Sequence, residues 1–503
     1  MRRVGIGEIA GVVAEARELY ADDPAALERL DAYDRRLNEP LRLAVAGVVK
    51  AGKSTLLNAL IGEQVAPTDA GECTKLVVWY RYALTPTVTL HLADGTTARL
   101  PVRRSDGALE LDLGSYSADE VGWIDVAWPS EHLRTTVLID TPGIASLSAT
   151  TSLRTTRFLT PEHSPSDADA IIYLLRHIHA SDVAFLEAFR DTVAGSSHTV
   201  NAVGLLSRAD EIGSGRIDSL ISASRIAERY RRDGELRALT LGVIPVAGLL
   251  AEGARTLRES EFIAFRSLAA LSREQRERLF VSVDRFVRVS PDTDLSVSVR
   301  QRLLARFGLF GVRLGAALVR GGARTSSDLA ERMIAQSGLI DVQRFVADQF
   351  RSRVAALKAR TVLDAVAELL REKPRAGATG VRIAIERVSV TAHDLRELAL
   401  LADLRTSVSA LAAPDEAEAE RIIGGEGDAA SARLGLAEPA LRVQVREAAA
   451  ERLAYWRMLE QSPLNDRATT QTCRVVVRSL EAIASEVGSA HPGGHSPDVM
   501  PSR

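Results

Sequence analysis

Between residues 7 and 37, apolar side chains fall three and four positions apart, in "IAGVVAEARELY" and "AALERLDAYDRRL". That spacing marks one face of a helix, and Pro40 stops the pattern. From 41 to about 250 the texture changes to short β-branched runs: "LRLAVAGVV", "KLVVWYRY", "TVTLHLAD", "WIDVAWP", "TTVLID", "AIIYLLR", "TVNAVGLLS" and "LGVIPVAG". Continuous apolar runs alternating with helical stretches predict an α/β domain, a mainly parallel sheet with helices on both faces. Beyond about 260 the strand texture disappears. "EFIAFRSLAALSREQRERLFVSVDRF" has helical spacing, as does Ser327 to Glu372, where Val346, Phe350, Val354 and Leu357 form one apolar stripe and Ser337-Gly338 is the place for a break. "KPRAGATG" (373–380) turns the chain and residues 381–411 run back as helix. A loop rich in Gly, Ala and acids (413–435) leads to a last helical region, about 440–488. Long antiparallel helices predict an elongated bundle, joined by the N-terminal helix.

The resulting segments are an N-terminal helix packing on the bundle (1–40), the α/β domain (41–260), a helical neck and trunk (261–488) and a disordered tail (489–503) that includes "HPGGHSPDVMPSR". A chain of 503 residues supports that many folding units. With 26% charged residues and a net charge of −3, general nucleic-acid binding is not expected. Two cysteines, Cys73 and Cys473, make no disulfide framework and fit a reducing cytosol. "MRRVGIGEIAGVVAEARELYADD" carries acids early and does not read as a signal peptide. No apolar run reaches bilayer-spanning length, so any membrane contact is expected to be peripheral.

Chemistry enters at "GVVKAGKSTLLNAL", which follows the first apolar run. Gly47, Gly52, Lys53 and Ser54 match G-x-x-x-x-G-K-[ST] in the strand–loop–helix context that the motif requires. Glycines let the backbone of Gly47, Val48, Val49, Lys50, Ala51 and Gly52 curl so that N–H groups face phosphate, and the helix beginning near Thr55 adds its positive end. Lys53 is expected to reach the β- and γ-phosphates and the Ser54 hydroxyl to ligate Mg²⁺. The alternative, a plain glycine-rich turn, explains neither the lysine nor the serine.

"VLIDTPG" places Asp140 at a strand end, where it holds Mg²⁺ through water, and Gly143 where its N–H bonds a γ-phosphate. The "DTPG" stretch resembles the third motif of translation-factor-type GTPases. "LLSRAD" stands where an [NT]-K-x-D element selects guanine: the Asp210 carboxylate accepts from the ring N–H and exocyclic amine, which adenine lacks. Arg208 replaces the usual lysine and Ser207 the usual Asn or Thr; a guanidinium also lies flat on a purine. The alternative for this stretch is a helix cap at a strand end. The last base-contacting loop is expected in "VIPVAGLLAEGA" (243–254). In "APTDAGECTKLVVW" Thr74, with Thr68 as runner-up, is the expected switch threonine for Mg²⁺ and the attacking water.

Ile144 follows "DTPG" where a water-orienting Gln stands in Ras-type enzymes, so that function must come from elsewhere. Lys50 occupies the position where guanylate-binding relatives of dynamin carry a cis arginine finger; its alternative is a solvated loop-tip lysine. The hydrophobic residue after "DTPG", the helix ahead of the domain and the long helical half behind it resemble the bacterial dynamin-like proteins. "GVVKAGKSTLLNALIG" and "SGLIDVQRFVADQFRSRVAALKA" look most like the actinobacterial isoniazid-inducible branch. The resemblance implies an α/β P-loop GTPase domain with an elongated helical bundle. It implies Mg²⁺-dependent hydrolysis of GTP to GDP, with Lys53, Thr74 and Lys50 in catalytic roles and Ser54, Thr74 and Asp140 on the metal. It further implies self-association through GTPase domains and peripheral contact with anionic lipid on the inner face of the cell membrane.

Two segments compete for that contact. "RQRLLARFGLFGVRLGAALVRGGAR" (300–324) has six arginines and no acids, with Arg306, Arg313 and Arg320 at heptad spacing; its alternative is a buried connector. "LLREKPRAGATGVR" (369–382) offers Arg371, Lys373, Arg375 and Arg382 at a bundle end. The rival functions are a soluble regulatory GTPase docking a protein partner, and a membrane scaffold with vestigial hydrolysis. His177 and His179, with only Asp182 beside them, read as loop rather than metal pair. Cys73 has no support as a catalytic thiol.

Overall fold

A computed structural model describes residues 4–67, 76–105, 107–143, 167–194, 200–213, 215–232, 236–406 and 410–489. Thr68, Cys73, Thr74 and Ile144 lie outside the described residues, as does the tail past Ser489. The chain divides into two compact units, Ile6–Ile385 and Met1–Gly5 with Glu386–Arg503.

In the first unit, eight apolar runs of the sequence form β1 (Leu41–Gly47), β2 (Val77–Tyr82), β3 (Thr87–Leu92), β7 (Val121–Trp128), β8 (Thr136–Asp140), β9 (Ala170–Leu175), β10 (Ala202–Ser207) and β11 (Val243–Val246). Polar strands β4 (Thr97–Leu100), β5 (Arg103–Ser105) and β6 (Ala108–Glu110) carry no apolar run and escape the pattern. Nine strands make one sheet in the order β11-β10-β9-β1-β8-β2-β7-β3-β4, and β5 pairs with β6 apart from it. The block β11 to β8 is parallel. Next to it the sheet becomes mixed: β2 is antiparallel to β8 and β3 to both β7 and β4, while β2 and β7 are parallel. The antiparallel part includes the hairpin at Asp94-Gly95, where Gly95 has φ 87° and Leu92 N–H donates to Thr96 O at 2.9 Å; so short a turn joins only antiparallel strands.

The wholly apolar strands are those buried on both faces. On one face Ala44, Ile139, Ile171 and Tyr173 pack with Phe185, Leu186 and Phe189 of helix Ala180–Ala194. The opposite face meets helix Lys53–Ile61, which packs in turn on helix Gly248–Arg255.

The N-terminal segment is two helices rather than one, Ile6–Leu19 and Pro24–Asn38. Asp23 caps the second, its Oδ1 accepting from Ala26 N–H at 3.0 Å, and Pro24 fits the first turn, where its missing N–H costs nothing. Both pack on helix Val354–Glu372. A buried pair, Arg36 with Asp169 at 2.8 Å, ties the second helix to the start of β9. The Lys358 ammonium donates to Arg36 O at 2.7 Å and to Glu39 O, neutralising the negative end of that helix.

The stretch from Ser327 breaks where Ser337-Gly338 suggested. Helix Ser326–Gln336 ends, Gly338 takes φ 80°, and Leu339–Phe345 leads through a wide turn at Val346–Arg351 into Val354–Glu372. Segment 300–324 is largely helix Val297–Arg320; three of its six arginines, Arg300, Arg306 and Arg313, turn inward, while Arg302, Arg320 and Arg324 are exposed. Arg300 donates to Phe286 O and Arg288 O, Arg306 pairs with Glu261 at 2.6 Å, and Arg313 donates to Gly215 O and Phe280 O. Those three contacts favour the buried connector.

In the second unit the region read as a loop (413–435) contains helices Ala413–Ile422 and Ala430–Arg433. The 440–488 region is a hairpin, Arg442–Glu460 and Arg467–Ser489, because Pro463 lies in the turn between them. Buried polar groups there satisfy one another: Ser479 Oγ donates to Glu397 Oε1 at 2.6 Å, His393 Nε2 lies 3.0 Å from Ser479 Oγ, and Arg433 reaches the same carboxylate.

Candidate nucleotide site

β1 ends at Gly47 and helix Lys53–Ile61 starts after Gly52, which takes φ 96°. The intervening backbone curls as the sequence requires, with Lys50 at φ 64°. The Lys53 ammonium turns back into the curl, donating to Gly47 O at 3.2 Å and Val48 O at 3.4 Å. Burial lowers its pKa, with Asp140 pulling the other way.

The parallel register sets β1 beside β8, and this brings Asp140 next to the loop. Ser54 Oγ donates to Asp140 Oδ2 at 3.1 Å. Burial pushes Asp140 up to about 6, against the Lys53 charge and the Ser54 hydrogen bond. A hydroxyl and a buried carboxylate side by side form a hard-oxygen set suited to Mg²⁺. Thr141 Oγ1 donates to Val45 O at 2.9 Å, fixing the exit of β8. Gly143 follows where nothing larger fits: a Cβ there would lie 2.6 Å from Val49 Cγ2 and 2.9 Å from Val49 Cα.

On the other side of β1, the strands β9, β10 and β11 deliver the base-reading element. Ser207 is buried, its hydroxyl on Leu175 O at 3.0 Å. Arg208 takes φ 52° and reaches back, donating to Lys50 O at 3.0 Å and to Glu211 at 2.7 Å. It clamps the phosphate loop rather than lying flat in the pocket. The Lys50 side chain is exposed, as a solvated tip or a swinging finger both require. Asp210 is 8% exposed, and burial pushes it up to about 6, with Glu211 adding to the rise and Arg208 opposing it.

A cavity of about 150 Å³ joins the two halves, lined by Gly52, Thr55, Arg208 and Asp210 together with Val246 and Leu249. The last two belong to the loop expected at 243–254. Pattern reasoning missed Asn58. Its Oδ1 accepts from Val65 N–H at 2.9 Å and Ala66 N–H at 2.7 Å, and its Nδ2 donates to Glu252 Oε1 at 2.9 Å. It thereby fixes the entry to the segment holding Thr68 and Thr74. Its only sequence signal was a polar residue within an apolar helix. His177 and His179 are exposed, and Asp182 is taken by Tyr173 OH at 2.7 Å and His179 N–H at 3.0 Å.

Residues 43–188 match the family model described as the dynamin family. Over 475 residues the chain is 40% identical to the isoniazid-induced protein IniC of Mycobacterium tuberculosis (strain H37Rv), covering 93% of this chain and 96% of that protein. The chain belongs to the bacterial dynamin-like family, isoniazid-inducible type. A shorter match, 33% over 152 residues, joins it to the isoniazid-induced protein IniA of the same organism, covering 29% of this chain and 23% of that one. The bacterial dynamin-like protein of Nostoc punctiforme is 50% identical over 54 residues, 11% of this chain and 8% of that one. A solved bacterial dynamin pair, described as sensing and tethering membranes, is similar at 14% identity and a TM-score of 0.31, covering 96% of this chain and 73% of that one; so low a score carries no weight for the fold. This dynamin-like chain therefore carries a dynamin-family GTPase domain, with its phosphate loop and third motif inside the matched residues.

Proposed function

We propose that this dynamin-like protein hydrolyses GTP to GDP with Mg²⁺, and that nucleotide drives self-association through the GTPase domains and remodelling of an anionic membrane from the cytoplasmic side. The supporting observation is that Lys53 and the Ser54–Asp140 pair sit at the phosphate loop, whose Ala51 and Gly52, with Thr55 of the helix that follows, share one cavity with the buried Asp210 carboxylate. Backbone N–H groups from Gly47 to Ser54 and Thr55 hold the phosphates. Ser54 and Asp140, with Thr74, would hold Mg²⁺, which supplies charge neutralisation between the phosphates. Asp210 accepts from guanine, Arg208 braces the loop beneath it, and Lys50 is free to supply positive charge when a second domain faces the site.

Of the four basic residues put forward for lipid contact, Lys373 pairs with Asp23 at 2.6 Å and Arg375 with Asp22 at 2.9 Å, while Arg371 pairs with Glu368. Arg382 is exposed. Arg371 keeps 75% of its side chain exposed despite its pair, so 369–382 stays a candidate for lipid contact, beside the hairpin turn after Glu460, where Leu464 is 93% exposed and Arg467 follows. Turnover of GTP and ATP, with and without anionic liposomes and over a range of protein concentration, tests the proposal. GTP-selective turnover that rises with concentration and lipid is expected. Equal use of both nucleotides would overturn the guanine assignment. Monomeric rates indifferent to lipid would favour a soluble regulatory GTPase. Flotation of Leu464→Asp beside Arg382→Glu assigns the contact, and unchanged binding in the Leu464 variant would remove the hairpin turn.

A further inference from the structure

Helix Val297–Arg320 is not continuous. Inside it Gly308 takes φ 64° and ψ 173°, a conformation that side chains other than glycine's avoid. Sharp interruptions of helices have identifiable causes, and no proline stands here. The break stands against two residues that line the nucleotide cavity, Asp210 and Leu249. A Cβ added at Gly308 would stand 3.7 Å from Asp210 Oδ2 and 3.7 Å from Leu249 Cδ2. Asp210 is 8% exposed, and among the described residues nothing but its own backbone is hydrogen-bonded to its carboxylate.

The same helix is pinned on both sides of the break to segments bordering that cavity. On one side Arg306 donates to Thr256 O at 2.7 Å, just past helix Gly248–Arg255, which starts at the base loop. On the other side Arg313 donates to Gly215 O, in the loop that follows Asp210, and to Phe280 O at 3.2 Å through Nε. The helical connector therefore backs the carboxylate on which a purine edge would be seated, and the positive φ of Gly308 sets how closely its backbone approaches.

We infer that the Gly308 break is a wall of the guanine site, so that base occupancy and the conformation of helix Val297–Arg320 are coupled. The inference rests on the nucleotide assignment proposed above. Coupling of this kind is reciprocal: whatever straightens the helix at Gly308 weakens guanine, and guanine holds the break. Gly308 is a positioning residue, acting on the base through its backbone and Asp210.

Amide hydrogen exchange on the full chain with Mg²⁺ separates the possibilities, comparing GDP with pyrophosphate, which fills only the phosphate loop. GDP is expected to slow exchange across 307–312 by about fivefold or more, while pyrophosphate slows only 47–55. Protection by GDP at 47–55 without change at 307–312 overturns the inference and leaves the nucleotide assignment standing. No protection in either segment overturns both. In parallel, Gly308→Ala is expected to weaken GDP about tenfold with pyrophosphate affinity unchanged. Equal loss of both ligands would mark a merely structural role, and unchanged GDP affinity would overturn the inference. Should that variant fail to fold, the wild-type exchange comparison decides.

Discussion

Asp210→Asn is expected to stabilise the nucleotide-free protein while removing its guanine nucleotide. The Asp210 carboxyl is pushed from 3.8 up to about 6, chiefly by burial. A raised carboxyl pKa means that the folded state keeps its proton to higher pH than the unfolded chain does. The cost of the buried charge is therefore absent well below 3.8, grows as pH rises, and is complete above about 6. A shift of roughly two units at ~1.4 kcal/mol each gives about 3 kcal/mol at pH 7.5, falling to about 1 kcal/mol at pH 4.5. Asparagine keeps the shape and has no charge to bury. Denaturant unfolding reads this by fluorescence, since Trp79, Trp123 and Trp128 lie in the sheet and only Trp456 in the second unit. The variant should unfold later at pH 7.5, with the gain shrinking toward pH 4.5. Its GDP affinity should fall about 100-fold or more, because guanine's two donors then face an amide. A variant less stable than wild type at pH 7.5, or one holding GDP within about threefold, would refute the reasoning.

Wild-type GDP affinity should itself weaken about tenfold from pH 7.5 to pH 5 as Asp210 takes up its proton, and in Asp210→Asn that component of the titration should vanish. Arg208→Ala releases the Lys50 carbonyl and should weaken GDP and pyrophosphate alike by about five- to tenfold, whereas loss confined to GDP would mean the guanidinium stacks on the base after all. Asp169→Ala strands Arg36 in a site where both side chains are almost fully buried, and should cost about 3–5 kcal/mol in the unfolding titration. Nucleotide selectivity in the surviving fold should not change.

How much was legible in the chain follows from what periodicity can encode. Strands buried on both faces, such as "AIIYLL" and "AVGLLS", announce themselves because a polar group there needs a buried partner, as Ser207 has, and few positions offer one. β4 and β5 did not, since "TARL" and "RRS" face water and present no apolar run. The phosphate loop and "DTPG" were readable because their chemistry depends on local backbone shape. The Arg208 clamp on Lys50, the Asn58–Glu252 link and the Gly308 wall join residues 158, 194 and 98 positions apart (308 less 210 for the last), which no local pattern records. Arg306 and Arg313 looked available to lipid because spacing shows a basic edge and not the carbonyls that meet it.

The central claim, that the curled backbone around Lys53 grips a guanosine triphosphate with magnesium, is met most directly by equilibrium binding of labelled GTP to the wild-type chain and to Lys53→Ala. Saturable, Mg²⁺-dependent uptake near one GTP per chain, competed by GDP but not by ATP and lost in the variant, is the expected result. Absence of uptake by the wild type in the presence of magnesium, or identical uptake by Lys53→Ala, would contradict it.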